Sequence, residues 1–349
     1  MKLKERMTVT VLAVLTLLSV AVPLVSEVTA GGTPPNASES DAADVTEQTE
    51  TLAPPPETTL TEESSENNGE TMPDSGLTVA VLVAQTGLVE EMSLEDYVIC
   101  AVSAEMPYTF NTEALKAQAI AARTYCIYKL RGGSTHEGGG EICTDHSHCA
   151  AFADRDELVK RYGETVTKSV LTKITDAVRQ TEGQIMTYNG EPILAVFHSR
   201  SYKFTESSKN VWGGDLPYLR SVSTPEPDSI TTLTLTDAQI TELFSSGSAI
   251  PVGGAEGVMT STLSDSGRQD TLIFNGKAVR ARLLRSLYGM RSTAFEYERV
   301  ENGWLFTVHG YGHGVGMSQY GANEMAKNGS DCYDILKHYY SGITLESLS

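Results

Sequence analysis

An acidic, proline-rich stretch near the N-terminus limits how much of the chain can fold. Residues 31–76 contain eleven acidic residues and no Lys or Arg, together with many Thr, Ser and Pro. A segment with so few large apolar side chains cannot bury enough surface to offset the entropy of ordering it. We therefore predict a disordered, self-repelling spacer at residues 31–76 and a folded domain at residues 77–349.

The first thirty residues have the pattern of an export signal. Lys2, Lys4 and Arg6 precede an apolar run at residues 7–25, and a run of this kind approaches the ~20 residues that span a bilayer. Residues 1–30 are therefore predicted to be a signal peptide or a transmembrane anchor. The retained anchor is favoured, and secretion after cleavage near residues 28–30 is the alternative. The basic flank predicts an extracytoplasmic location for the rest of the chain.

The charge of the chain argues against a nucleic-acid partner. The net charge is −19, and it is still −8 when residues 31–76 are left out. Binding to phosphate backbones needs clustered Lys and Arg, and this composition does not supply them.

The folded part has the pattern of an α+β domain, with helices packed on antiparallel hairpins around a groove. Ser93 is placed to cap a first helix, and Asn111 or Thr112 a second. The other predicted elements are a strand at 78–83, the second helix at 113–130, a third helix at 154–181, a hairpin at 185–198 turning at Asn189-Gly190, strands at 272–274 and 304–308, and a helix at 334–340.

Glu105 is an acidic residue in an otherwise apolar run at the end of the first predicted helix. A solvated residue of the last helical turn would look the same. If the apolar neighbours Val102, Met106 and Pro107 surround it, however, they raise the pKa of its carboxyl group. A carboxyl group that keeps its proton near neutral pH can act as a general acid.

A dense group of metal-ligating residues lies in the loop after the second helix. His136, Cys143, His148 and Cys149 are the preferred ligands of one tetrahedral structural zinc ion, with His146 as a substitute. A Cys143–Cys149 disulfide is the alternative outside the cell, and free side chains are a third possibility. The nearby histidines favour zinc, since a disulfide does not need them.

The sequence His198-Ser199-Arg200-Ser201 ends the predicted hairpin. A serine hydrolase would need His198 to activate Ser199, yet adjacent residues of a strand point to opposite faces. Either a hydrogen-bonded hairpin end or a polar strand end facing a ligand explains the pattern. In the second case Ser199 and Thr205 are candidate ligand contacts.

Alternating glycines follow the last long predicted strand, from His309 to Gly321. A dinucleotide-binding loop would require a further strand and an acidic residue about 20 positions later, but only a helix and a tail are predicted there. The glycines instead let the backbone approach a ligand or another segment closely. His313, Gln319 and Tyr320 are the candidates here for polar and stacking contacts.

Several ordered motifs resemble those of the stage II sporulation protein D family and of the related amidase-enhancer domain. The resemblance extends over about residues 77–349. The matching segments are Leu94–Val98, Ala104–Pro107, Glu113–Ala119, Ala121–Tyr125, Val211–Gly213, Pro217–Leu219, Ser266–Arg268 and Gly312–Ala322.

The resemblance implies a lytic transglycosylase that cleaves the β-1,4 bond of peptidoglycan glycan strands, preferably strands stripped of stem peptides, and leaves 1,6-anhydro ends. It places the catalytic acid at Glu105, substrate contacts at Gln118 and Arg123 as well as the positions above, and a zinc ion between the second and third helices. It also implies a sporulation setting, with a cell-wall amidase and membrane proteins as partners. One departure is that Tyr202-Lys203 stand where the family has Gly-Gly.

Two other functions fit parts of the pattern. A non-enzymatic wall-binding module that activates an amidase would keep the substrate groove but would not need Glu105. A zinc-dependent wall amidase would need an open coordination position, and the crowded His and Cys loop leaves none. One-carboxylate chemistry by Glu105 is therefore the favoured interpretation.

Overall fold

The computed structural model describes residues 76–133, 136, 138–146, 148–254 and 257–348. The described residues belong to one compact unit. The predicted anchor, and all of the predicted spacer except Gly76, lie outside these ranges. Within them, no helix is both long and apolar enough to cross a bilayer.

Nine α-helices occur in this part of the chain. They are α1 Leu94–Glu105, α2 Thr112–Arg131, α3 Arg155–Tyr162, α4 Glu164–Arg179, α5 Ser208–Trp212, α6 Asp237–Ser245, α7 Ala281–Tyr288, α8 Gln319–Lys327 and α9 Cys332–Tyr339. Both predicted N-caps are confirmed. The Ser93 hydroxyl accepts the Asp96 N–H at 3.1 Å, and the Asn111 side chain accepts the Glu113 N–H at 3.0 Å. Each cap satisfies an N–H that the first turn of its helix leaves unpaired.

The strands form five small sheets in the described residues. The strands are β1 Thr78–Val83, β2 Leu88–Ser93, β3 Ile142–Cys143, β4 Gln184–Tyr188, β5 Glu191–Pro192, β6 Phe197–His198, β7 Ile230–Thr236, β8 Ile250–Pro251, β9 Met259–Leu263, β10 Gln269–Phe274, β11 Lys277–Arg280, β12 Phe295–Val300, β13 Gly303–His309, β14 Met317–Ser318 and β15 Thr344–Ser347. Their orders are β2-β1-β3, β8-β11-β10-β9, β12-β13-β7, β14-β6 and β15-β4-β5. This architecture confirms the α+β class.

Two apolar cores stabilise the unit. The larger core surrounds α2 and includes side chains of α1, α4, α8 and α9. Leu115 and Ile120 of α2 are completely buried there, and a side chain of this kind contributes about 2–5 kcal/mol relative to Ala. The smaller core lies between α6, α7 and the strands of residues 230–309. The first core is the one that supports the candidate site.

The third predicted helix, 154–181, is wrong as a continuous element. The structure has two helices, α3 and α4, which separate at Gly163. This residue has φ +77°, a positive value that breaks the helix and that glycine adopts without a steric penalty.

The predicted hairpin is correct at its turn and wrong in its second strand. Asn189 and Gly190 have φ +54° and +78°, as the tightest hairpin turns require. The returning strand, however, covers only Glu191–Pro192. Phe197–His198 pairs in parallel with Met317–Ser318 instead, so a partner far along the chain sets the position of the His198-Ser199 segment.

Candidate functional site

Glu105 is the last residue of α1, and its carboxylate is held from two directions. Its Oε1 accepts the Ala151 N–H at 2.7 Å, and its Oε2 accepts a side-chain N–H of Gln319 at 3.1 Å. The helix ends here because Met106 precedes Pro107 and has an extended conformation, as residues before proline prefer. The half-buried carboxylate therefore has a fixed position and orientation.

The surroundings of Glu105 raise the pKa of its carboxyl group. Burial is the main cause, and it outweighs the opposing effects of the Ala151 and Gln319 hydrogen bonds and of the His146 imidazole. Burial acts in this direction because the ionised carboxylate loses more hydration energy than the neutral acid. A group that retains its proton above the usual Glu range can donate it to a leaving oxygen.

Gln319 and Tyr320 begin α8 next to this carboxylate. The Ser318 hydroxyl caps the helix by accepting the Gly321 N–H at 3.2 Å, which fixes where the helix starts. The Tyr320 N–H donates to the backbone oxygen of Ser199 at 3.1 Å. The structure thus brings Gln319 into contact with Glu105 and places Tyr320 and Ser199 beside that contact.

The glycine-rich segment before α8 allows a close approach between two backbones. A Cβ atom on Gly316, which has φ +72°, would lie 2.0 Å from the oxygen of Val196. No side chain can occupy that space, so the segment reaches the chain just before β6 only because glycine stands there. Of the two uses predicted for these glycines, close contact with another segment is therefore the one observed at this position.

His313 lies in the same segment and packs between two other rings. Its ring centroid is 5.4 Å from that of Trp212 and 5.7 Å from that of His198. Burial lowers the pKa of His313 to about 4, and the nearby charges of Arg285 and Arg268 add to the effect. The imidazole is therefore neutral at neutral pH, and the side chain is half-buried.

Three predicted substrate contacts lie in the interior instead of at the surface. Arg123, Gln118 and Thr205 are each 0% exposed. The Thr205 hydroxyl accepts the Val222 N–H at 2.9 Å. The Gln118 amide group has no hydrogen-bond partner in the described residues. Burial of this extent places all three beneath the surface that a glycan could touch, so we do not retain them as contacts.

Arg123 forms a buried ion pair with Glu95. Its Nε and Nη2 donate to the two carboxylate oxygens at 2.7 and 2.6 Å. Two backbone oxygens, of Gln184 and Val178, accept further N–H groups at 3.1 and 3.4 Å. These bonds tie α1, α2 and the end of α4 together, so the role of Arg123 in this structure is architectural.

Four side chains come together where the sequence predicts a metal site. The ligand atoms of His136, Cys143, His148 and Cys149 all lie within 4.8 Å of one another. Both cysteines are free thiols, so the alternative of a disulfide between them is not realised. The other ring nitrogen of His136, Nδ1, lies 2.8 Å from the Gly140 oxygen, a contact that orients a metal-binding imidazole. These residues could hold one metal ion.

His146, the predicted substitute ligand, is not in this group. It is exposed, and its imidazole lies close enough to Glu105 to affect the pKa of that carboxyl group. The metal-binding loop and the candidate acid are therefore neighbours in space.

Sequence reasoning missed two groups at this site. The Ala151 N–H contacts Glu105, but a backbone donor leaves no signal in the residue type. The Arg200 guanidinium lies over the Tyr320 ring, 3.3 Å from its centroid, and only the parallel pairing of β6 with β14 brings the two together. The available clue in the sequence was that Arg200 directly follows Ser199, a candidate ligand contact at the end of the predicted hairpin.

The residues Tyr202 and Lys203 occupy a turn that suits glycine. Lys203 has φ +61°, which is strained for a residue with a side chain. The Tyr202 ring stacks on His309, with centroids 4.1 Å apart and planes at 16°. The added bulk of Tyr202 therefore packs against the His309 ring at the end of β13.

Comparison with known proteins agrees with these features. Residues 83–188 match the family model described as "Stage II sporulation protein". Stage II sporulation protein D of Bacillus subtilis (strain 168) is 38% identical over 82% of this chain and 83% of its own length. The protein of the same name from Bacillus amyloliquefaciens is 37% identical over 79% and 80%. An amidase enhancer of B. subtilis is 30% identical over 70% of this chain and 39% of its own length. The chain therefore belongs to the stage II sporulation protein D family.

Proposed function

We propose that this protein is a lytic transglycosylase that cleaves the β-1,4 bond of peptidoglycan glycan strands and leaves 1,6-anhydro ends. The observation that carries the proposal is the setting of Glu105. Its carboxyl group has a raised pKa and is held at a fixed position by Ala151 and Gln319. A residue in this setting can serve first as an acid and then as a base.

In the proposed mechanism Glu105 acts twice. The protonated carboxyl group gives its proton to the glycosidic oxygen as the bond from that oxygen to C1 breaks. The resulting carboxylate takes the proton of the sugar's own 6-hydroxyl while O6 forms a new bond to C1. The anhydro ring is closed, the second strand end leaves as an alcohol, and Glu105 regains its proton. The Ala151 and Gln319 N–H groups stabilise the carboxylate in between.

Four other carboxylates that could be considered as a second acid are engaged in structural contacts, which favours chemistry with one acid. Ordinary glycosidases need two carboxylates that face the scissile bond. The alternatives are bound as follows: Glu95 by Arg123, Asp96 by Ser93, Glu113 by Lys116, and Glu206 by Ser264 and Ser266. Each is already a partner in a structural contact.

We further propose that the His and Cys cluster holds a structural zinc ion. A tetrahedral site with Zn–S near 2.3 Å and Zn–N near 2.0–2.1 Å has N···S edges of about 3.6 Å. The Sγ of Cys149 is 3.4 Å from His136 Nε2 and 3.4 Å from His148 Nδ1, and the Sγ of Cys143 is 3.6 Å from His148 Nδ1. The donor set fits zinc, which when bound would cross-link the loop. Cys149 stands two residues before Ala151, so this loop also positions the N–H that holds Glu105.

The proposed setting is the outer side of a bacterial membrane during sporulation, with residues 1–30 as the anchor and residues 77–349 as the catalytic domain. The family name supports a role in sporulation, and the membrane placement extends the export pattern of the N-terminus. A cell-wall amidase and membrane proteins are the proposed partners, and Ser199, His313, Gln319 and Tyr320 the proposed glycan contacts in a groove beside Glu105.

A second candidate function is a non-enzymatic wall-binding module that activates an amidase. The specific observation that favours it is the match to an amidase enhancer over 70% of this chain. Such a module would bind glycan strands through the same surface but would leave them uncut.

One experiment separates these functions. The full-length chain is incubated with glycan strands stripped of stem peptides, and the products are analysed by mass spectrometry. Anhydro ends support the transglycosylase, reducing ends indicate a hydrolase, and intact strands together with measurable binding support the amidase-activating module.

A further inference from the structure

Arg200 is a half-buried cation whose position is fixed by its backbone and by its side chain. Its N–H donates to the Tyr311 oxygen at 3.0 Å, and its own oxygen accepts the Tyr311 N–H at 2.8 Å. Its guanidinium carbon lies 3.3 Å from the centroid of the Tyr320 ring. Stacking uses the face of the guanidinium group and leaves the N–H groups along its edge available for a planar acceptor.

The charge of Arg200 has no protein counterion in the part of the chain that the structure describes. Other arginines there, such as Arg280 with Asp270 and Arg220 with Asp215, form ion pairs. Arg200 forms none. In a chain of net charge −19, an arginine held in place without an acidic partner is suited to an anionic ligand.

The contacts of Tyr320 and its neighbour Gln319 connect Arg200 to the candidate acid. Tyr320 directly follows Gln319, whose side chain donates to Glu105 at 3.1 Å. Ser199, the residue before Arg200, accepts the Tyr320 N–H. The guanidinium group, the tyrosine ring and the carboxyl group thus belong to one connected set of contacts.

We propose that Arg200 binds the free lactyl carboxylate of a muramic acid unit next to the bond that is cut. This inference rests on the proposed glycan substrate. A strand stripped of stem peptides carries a carboxylate on each muramic acid, whereas a strand with stem peptides carries an amide at the same atom. A guanidinium edge binds the planar carboxylate with two parallel hydrogen bonds and gains much less from the amide. Arg200 therefore makes the site selective for stripped strands.

The test measures binding to two preparations of the same strands. One has free lactyl carboxylates, and in the other the carboxylates are converted to methyl amides. The full-length chain carries Glu105→Gln so that no strand is cut during the measurement. Dissociation constants are then compared for this parent, for Arg200→Gln and Arg200→Lys added to it, and for the matched control Arg280→Gln, which removes an exposed arginine at the end of β11.

We expect the parent to bind the free-carboxylate strands about 10-fold or more tightly than the amidated strands. Arg200→Gln should lose that preference by weakening only the binding to carboxylate strands, Arg200→Lys should keep part of it, and Arg280→Gln should keep all of it. The proposal is overturned if the parent has no preference, or if Arg200→Gln weakens binding to both strands equally. This test measures binding alone. If the wild-type protein failed to cut glycan strands, that failure would refute the proposed activity but would not decide whether Arg200 binds the lactyl carboxylate.

Discussion

The buried ion pair between Arg123 and Glu95 provides a direct test of how the first core is held together. The Arg123 side chain is 0% exposed and the Glu95 side chain 13% exposed. In Glu95→Gln the guanidinium group loses both charged acceptors, at 2.7 and 2.6 Å, and stays in the interior. Removing one partner of a buried pair typically costs about 3–5 kcal/mol, because the remaining charge is uncompensated.

We therefore expect Glu95→Gln and Arg123→Met each to lower the free energy of unfolding by about 3–5 kcal/mol. The double variant should lose less than the sum, since neither charge then remains without its partner. Urea unfolding followed by circular dichroism measures all three values. A Glu95→Gln protein within about 1 kcal/mol of wild type would refute this reasoning. An Arg123→Met protein of normal stability that binds glycan weakly would restore Arg123 as a substrate contact.

Three further predictions follow from the metal cluster, His313 and Lys203. Purified protein should contain about one zinc ion per chain. Cys149→Ser should lose the zinc ion and melt at a lower temperature, whereas the control Cys100→Ser should retain it. Wild-type protein that contains no metal would contradict this prediction. The pKa of His313 is lowered from 6.5 to about 4. The contribution of its neutral imidazole to stability is therefore complete above pH 6.5 and declines as the pH falls toward 4. In urea titrations the free energy of unfolding of wild type should fall by about 2 kcal/mol more than that of His313→Gln between pH 6.5 and 5. An equal loss in both proteins would show that His313 titrates normally. Lys203→Gly should raise the free energy of unfolding by about 0.5–1 kcal/mol because φ is +61° there, and a lower value would show that Lys203 is not strained.

Features that depend on neighbours in sequence could be predicted from the chain alone. The caps at Ser93 and Asn111 are examples, because each side chain bonds to an N–H only two or three residues away. The metal-binding cluster is another, since its members lie in one short loop. The turn at Asn189 was predictable from the left-handed preference of Asn-Gly.

Features that depend on distant contacts could not be predicted in this way. Gln319 reaches Glu105 across 214 positions of the chain, and nothing in the local sequence links them. Arg123 resembles a ligand-binding residue until its partner Glu95 is located beside it in the folded core. The prediction of the second hairpin strand was wrong for the same reason. The strand that pairs with Phe197–His198 is β14, which is more than a hundred residues away in sequence.

The most direct test of the central claim is the rate at which Glu105→Gln cuts stripped glycan strands. The amide keeps the size of the side chain but cannot deliver a proton, so the formation of anhydro ends, counted by mass spectrometry, should fall by about 10²–10⁴-fold. The matched control Glu191→Gln, which changes an exposed glutamate paired with Arg131, should cut at the wild-type rate. Zinc content and glycan binding of Glu105→Gln should match wild type. A folded, zinc-loaded Glu105→Gln protein that produces anhydro ends at near the wild-type rate would contradict the account.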